Sequence, residues 1–200
     1  MGLTAALRDR RPLIFEASPG YLLAEHTPKR VASVLPKARF IVMLRNPVDR
    51  AYSQYLHNRR LHQEPLSFQS ALAAEDSRIK VDPARIDTDL HYDSRALQRF
   101  SYVRRGLYAD QLTRWFAQFD RKQFHILRSE DFYVDTPAAF RSVLDFLDLA
   151  PWSPTEFRNF TYRGSRPIKD KMPKEAQSYL LDKFREPNDR LAALIGMDWH

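Results

Sequence analysis

Apolar and polar positions follow different periods along this chain, and the places where the period changes mark its elements. Five consecutive apolar residues, Phe40 to Leu44, stop at Arg45. A short apolar run bounded by turn residues predicts a strand buried on both faces. Asn46-Pro47 follows, and proline suits a first helical turn because no N–H is needed there. The helix it begins carries Tyr52, Ser53 and Tyr55. Strand, tight turn and helix in this order set free backbone N–H groups beside an anion. Arg45 stands at the strand's end and Ser53 lies on the helix, so the stretch predicts a phosphate clamp: a planar guanidinium fork plus a hydroxyl donor. The competing reading pairs Arg45 with Asp49 or another carboxylate, as an ordinary surface ion pair.

The same patterning predicts the neighbours. Leu13-Ile14-Phe15 is a brief apolar run that reads as a strand, ended by Glu16-Ala17-Ser18-Pro19-Gly20-Tyr21. Pro and Gly there mark a loop at a strand end, where α/β proteins place binding groups. Thr27-Pro28 predicts an N-cap and first-turn proline for a short helix with Val31, Val34 and Leu35 on one face, ended by Pro36. The opening is therefore βαβα with short connections, which predicts an α/β fold with a parallel sheet flanked by helices.

Beyond that helix, periodicity weakens from Leu61 to Arg105. Ser67 caps a helical pattern through Phe68, Ala71, Leu72 and Glu75, but Ser77 to Leu97 mixes charges around Pro83. Residues 61–105 read as a loop-rich insertion, either facing substrate or serving as a surface connector. Order returns at Gly106: Tyr108, Leu112, Trp115, Phe116 and Phe119 share a helical face. Phe124 to Leu127 predicts a second strand, ended by Arg128-Ser129-Glu130-Asp131. Thr136-Pro137 starts a helix with Phe140, Val143, Leu144 and Leu147 inward, and Pro151 to Thr161 is a loop. Two closing helices are predicted, one from Pro173 and one capped by Asn188 and stopped at Gly196.

Composition narrows the functional classes. The chain has 200 residues, 44% of them hydrophobic, enough for one core, so residues 1–200 read as a single domain. An excess of 32 basic over 25 acidic residues gives +7, which suits an anionic partner without choosing among nucleotide, sulfated sugar, nucleic acid and membrane surface. There is no cysteine, which excludes disulfides, thiolate metal sites and thiol nucleophiles. The histidines show no metal-ligand spacing: His57 and His62 do not share a helical face, and His125 sits inside a strand. No apolar run approaches the ~20 residues of a membrane span, and the charged N-terminus has no export signal, so a cytoplasmic location is expected.

The string Arg45-Asn46-Pro47-Val48-Asp49-Arg50-Ala51-Tyr52-Ser53-Gln54-Tyr55 resembles the 3′-phosphate-binding motif of sulfotransferases that use 3′-phosphoadenosine 5′-phosphosulfate (PAPS). It is similar to the carbohydrate and heparan-sulfate-type branch and its bacterial relatives. Phe15 to Tyr21 resembles the strand-end segment before that motif. Gly106-Leu107-Tyr108 with Leu112 and Trp115 resembles the family's G-x-Y-x-x-x-L-x-x-W helix, and Phe124 to Asp131 its next strand and turn. The segment Arg163-Gly164-Ser165-Arg166 resembles the late basic loop over the 3′-phosphate and adenine. The resemblance implies a P-loop-NTPase-like sulfotransferase fold, with Arg45, Ser53, Arg163, Gly164, Ser165 and Arg166 binding the cofactor. It implies sulfuryl transfer from PAPS to a hydroxyl or amine, with a glycan as acceptor, adenosine 3′,5′-bisphosphate as product and no metal.

One departure stands out. The family's first strand carries a glycine-rich loop of the type K-x-G-T-T/S for the 5′-phosphosulfate, whereas here Gly2 is isolated and the next glycine is Gly20. The sequence therefore resembles a member without its N-terminal portion, either a fragment or a chain that has lost the loop. Glu16 is the one carboxylate placed for acceptor binding or base work; its alternative is a hydrogen-bond acceptor for the Ser18–Tyr21 turn. Some relatives carry a lysine after that glutamate, where this chain has Ala17. Two further readings compete: a non-catalytic relative that binds adenosine 3′,5′-bisphosphate or an anionic glycan, and a basic nucleic-acid-binding protein. The last lacks a reading helix, an RNP-type strand or a zinc module.

Overall fold

The computed structural model describes residues 14–79, 95–158 and 171–197. Its centre is a parallel pair, β1 (Phe40–Leu44) and β2 (Phe124–Arg128), in register with Phe40 opposite Phe124 and Leu44 opposite Arg128. Parallel strands need a crossover that returns the chain to the same sheet end. Between them run α1's successors: α1 (Thr27–Val34) precedes β1, and α2 (Pro47–Arg60), α3 (Phe68–Ala73), α4 (Glu75–Arg78), α5 (Arg95–Phe100) and α6 (Tyr108–Phe116) lead to β2. After β2 come α7 (Ser129–Val134), α8 (Thr136–Phe146) and the long α9 (Lys174–Ile195). This is the α/β class expected from the patterning.

Two apolar clusters hold these layers. One packs Leu44, Phe124 and Ile126 of the sheet against Tyr108, Leu112 and Trp115 of α6 and Leu191 of α9. Phe40 sits among its aromatics, with ring centres 5.0 Å from Trp115, 4.7 Å from Phe119 and 4.7 Å from Phe124. The other packs Val48, Ala51 and Tyr55 of α2 against Phe68 and Leu72 of α3, Tyr102, and Ala176, Leu180 and Phe184 of α9. Helix α9 thus bridges both clusters. Gly106 marks their junction: a Cβ there would lie 2.7 Å from the Phe184 ring and 3.0 Å from Pro47 Cβ, so only glycine fits between them.

Several local expectations are corrected. Ile14 and Phe15 form no strand and are 89% and 86% exposed, because nothing among the described residues pairs with them. Strand β1 is buried on one face only: Phe40, Val42 and Leu44 turn to the core while Ile41 and Met43 are exposed. In α1, Val31 packs on the core, but Val34 and Leu35 point out. Thr27 and Thr136 are first helical residues rather than caps. The caps lie one position earlier, at His26 and Asp135, and Asp135 Oδ1 accepts from Ala138 N at 2.9 Å. The two closing helices are one: Pro187 lies inside α9, and Asn188 is a buried interior position rather than a cap. The stop at Gly196, with φ of 70°, is as expected. Ser67 does cap α3, its hydroxyl accepting from Ser70 N at 3.2 Å, but the helical pattern is interrupted at Ala74.

Candidate functional site

The site is built where β1 meets α2. Leu44 is buried, and the chain emerges from the sheet at Arg45. Two contacts pin the backbone around that residue. The Tyr108 hydroxyl donates to the Arg45 carbonyl at 3.0 Å, and the Asn46 N–H donates to Glu130 Oε1 at 2.8 Å. Tyr108 comes from the start of α6 and Glu130 from α7, just after β2, so three elements converge on one turn. Burial raises the pKa of the Tyr108 phenol, which keeps it protonated as a donor.

Helix α2 does not offer its amides to a ligand. Asn46 is the N-cap, and its Oδ1 accepts from Val48 N at 3.0 Å and Asp49 N at 3.3 Å. Pro47 has no N–H, and Arg50 N donates to the Asn46 carbonyl at 2.8 Å. The expectation of free backbone N–H groups is therefore corrected: asparagine before proline is itself a capping signal, and it occupies the donors. The first-turn amides are thus occupied within the protein.

Two side-chain donors remain. The Arg45 guanidinium and the Ser53 hydroxyl are both exposed, and neither has a hydrogen-bond or ion-pair partner among the described residues. Arg45 makes no ion pair with Asp49, which removes the competing explanation. Along α2, residues three and four apart share a face, so Asp49, Ser53, His57 and Arg60 form one outward ridge. His57 Nδ1 lies 2.9 Å from Arg60 Nη2 on that ridge, and His62 lies beyond the helix with φ of 56°.

The neighbouring face of α2 carries a part-buried polar stripe that sequence reasoning missed. Arg50 donates to Gln54 Oε1 at 2.7 Å and to the Tyr102 carbonyl. Gln54 Nε2 donates to the Arg99 carbonyl at 2.9 Å, and Asn58 Nδ2 to the same carbonyl at 2.7 Å. Burial pulls the Arg50 guanidinium down to about 10, with Arg105 and Arg45 nearby adding to the effect against the pull of Tyr108 and Glu75. It remains charged at neutral pH and contributes positive potential behind Arg45. The i, i+4, i+8 spacing of three polar residues on a helix with apolar neighbours was the available signal.

Glu16 lies in the exposed segment before α1, and the proximity of its carboxylate raises the Tyr21 pKa. The turn closes with Tyr21 N donating to the Ser18 carbonyl at 3.4 Å. Arg163, Gly164, Ser165 and Arg166 lie outside the described residues. His125 stacks on Phe146, with its Nε2 3.0 Å from Ser142 Oγ, in a structural setting away from Arg45; burial lowers its pKa. Among the described residues, no group of three or more His, Asp or Glu side chains could hold a metal ion, and no helix is long and apolar enough to cross a membrane.

Comparison with known proteins gives a consistent result. The family model described as "Sulfotransferase domain" matches residues 14–163. The mouse bifunctional heparan sulfate N-deacetylase/N-sulfotransferase 4 is 33% identical over 141 residues, covering 69% of this chain and 15% of that protein. The Xenopus tropicalis bifunctional heparan sulfate N-deacetylase/N-sulfotransferase 1 is 32% identical over 200 residues, covering 90% and 22%. The chain thus spans under a quarter of these relatives' length. Among solved structures, a sulfotransferase from Alicyclobacillus acidocaldarius superposes with a TM-score of 0.71 at 33% identity, over 92% of this chain and 65% of that one.

Proposed function

Because this chain belongs to the sulfotransferase domain family, we propose that it transfers a sulfuryl group from PAPS to a hydroxyl or amine of a glycan, gripping the donor's 3′-phosphate with Arg45 and Ser53. The observation that carries this reading is the pair itself. A guanidinium stands exposed at the end of a central strand and a hydroxyl stands exposed on the helix that follows, neither with a partner among the described residues, and the backbone of the turn at Arg45 and Asn46 is pinned by Tyr108 and Glu130. The N–H groups are already capped, so a phosphate bound there depends on these side chains. The glycan acceptor is supported by the relatives' names, which are those of heparan sulfate N-sulfotransferases.

PAPS, when bound, supplies the phosphosulfate bond that breaks. The protein's own residues orient and shuttle protons. Arg45 offers two parallel N–H donors to phosphate oxygens and Ser53 a third, which fixes the nucleotide end remote from the reacting sulfur. Arg163, Gly164, Ser165 and Arg166 are assigned to the same phosphate and the adenine. Glu16 is exposed near Tyr21, and takes the role of base, accepting the proton of the acceptor group as it attacks.

Calorimetric titration with adenosine 3′,5′-bisphosphate tests the clamp. A hydrogen bond to a charged group contributes about 1.5–3 kcal/mol, so Arg45→Ala weakens binding by roughly 10- to 100-fold. Ser53→Ala weakens it by roughly 3- to 10-fold. Adenosine 5′-monophosphate, which lacks the 3′-phosphate, binds more weakly and is indifferent to Arg45→Ala. Equal affinity of wild type and Arg45→Ala for the bisphosphate overturns the assignment.

A further inference from the structure

One short segment, residues 98–105, is hydrogen-bonded both to α2 and to the loop that carries Glu16. That segment is gripped from both sides by side chains. The α2 stripe of Arg50, Gln54 and Asn58 donates to the carbonyls of Gln98, Arg99 and Tyr102. From the other side, Glu75 accepts from Val103 N at 2.7 Å and Arg104 N at 2.8 Å. Its C-terminal end then reaches out to the Glu16 loop. Arg105 Nη1 donates to the Pro19 carbonyl at 3.2 Å and its Nη2 to the Gln98 carbonyl at 3.0 Å, while Arg104 pairs with Glu25 at 2.8 Å.

We infer that Arg105 is a positioning residue, which through the Pro19 carbonyl sets where Glu16 sits relative to Arg45 and Ser53. The inference rests on the roles given above to those three residues. Two features single out Arg105 over Arg104. The Arg104–Glu25 pair is exposed on both sides, and such pairs hold little. The Arg105 guanidinium is half-buried, with its Nε enclosed and unpartnered, and it spans two carbonyls that are 79 positions apart in sequence, Pro19 and Gln98. A fork of this kind holds two backbone segments at one separation, which a single flexible ammonium does not. Placement matters because a displacement of about 1 Å at a reacting group can cost roughly 100-fold in rate.

The absence of cysteine allows clean spin labelling. One label pair, Ala17→Cys with His57→Cys, reports the distance from the Glu16 loop to the α2 ridge. A second, His57→Cys with Gln177→Cys, reports the α2–α9 packing; all three positions are exposed. Arg105→Ala is expected to broaden and shift the Ala17–His57 distance distribution while leaving the His57–Gln177 distribution unchanged. Arg105→Lys, able to reach one carbonyl, restores it in part, and Arg104→Ala changes it little. An unchanged Ala17–His57 distribution in Arg105→Ala overturns the inference. So does equal broadening of both pairs, which would make Arg105 a general support of the fold. Adenosine 3′,5′-bisphosphate is titrated alongside: Arg105→Ala binds within about twofold of wild type. A wild-type protein that does not bind it refutes the phosphate clamp and is read independently of the distances.

Discussion

Replacing Glu64 by glutamine removes one charge from an enclosed polar network. The Glu64 side chain has 0% exposure and takes four donors. Arg78 Nη1 and Nη2 approach at 2.8 and 3.2 Å, the Tyr102 hydroxyl at 2.7 Å and Leu66 N at 3.0 Å. Glu64→Gln keeps the shape but turns one acceptor oxygen into a donor that faces other donors, and leaves Arg78 without its counter-charge. Breaking a buried ion pair from one side costs about 3–5 kcal/mol. Arg78 keeps 19% exposure and lies 3.5 Å from the centre of the Phe100 ring, so water and the ring compensate in part. The lower end, about 3 kcal/mol, is therefore expected. At about 2–4 °C per kcal/mol for a chain of this size, Tm falls by about 6–12 °C.

The pH dependence supplies a second, independent check. Burial pushes the Glu64 carboxyl up, but the hydrogen bonds from Arg78, Tyr102 and Leu66 N outweigh it and hold the group below its ordinary value. A carboxylate with a depressed folded pKa binds fewer protons folded than unfolded between the two pKa values. Its stabilisation is thus complete above the unfolded value of about 4.3 and is lost as pH falls through the folded one. Glu75 shifts the other way, raised by burial against its backbone hydrogen bonds, and favours the folded state on the acid side of its own window. Subtracting the Glu64→Gln stability curve from the wild-type curve cancels Glu75 and leaves Glu64. Urea unfolding across pH 3 to 7 gives both curves. A neutral-pH difference under about 0.5 kcal/mol, or one that does not shrink on acidification, refutes this account of the network.

Two further substitutions probe how the helices are held. Gly106→Ala forces a methyl group against the buried Phe184 ring and Pro47, so it destabilises by about 1–3 kcal/mol; equal urea midpoints for the two proteins contradict that packing. Pro187→Ala restores the N–H missing from the interior of α9. A helix-interior proline is about 3 kcal/mol worse than alanine, offset by about 0.4–1 kcal/mol from the stiffer unfolded chain, so a gain near 2 kcal/mol is expected. A loss of stability on urea unfolding would mean that the ring makes packing contacts outweighing the missing bond.

What the sequence made visible depended on how local each cause was. Pro47 in the first turn of α2, Ser67 as the α3 cap and Gly196 as the α9 stop all act within a few residues, and all three stand where the pattern put them. The parallel pair β1–β2 was legible because both strands are apolar runs ended by turn residues. Leu13 lies outside the described residues, and Ile14 and Phe15 form no strand because an apolar run becomes one only with a neighbour to pair with, and the described residues offer them none. Asn188 looked like a cap because asparagine is a favoured N-cap residue, but packing of Leu180, Phe184 and Leu191 along a single face carries α9 through both Pro187 and Asn188.

The site shows the same division. The strand–turn–helix placement of Arg45 and Ser53 was legible, because an apolar run and an Asn-Pro helix start are local signals. Their supports were not, because Tyr108 and Glu130 reach the turn from residues 63 and 84 positions away. These supports also explain why Arg45 and Ser53 alone are left to bind. Four polar backbone groups of the turn have partners within the protein: the Arg45 carbonyl takes Tyr108, Asn46 N takes Glu130, and Val48 N and Asp49 N take the Asn46 side chain. A turn satisfied in this way is held without a ligand, so under the proposed clamp a phosphate would order only two side chains and lose little further entropy. The same satisfaction removes the amides as a reserve. Once Arg45 is gone, no neighbouring backbone donor on this turn can take over its phosphate oxygens, and the loss is not buffered.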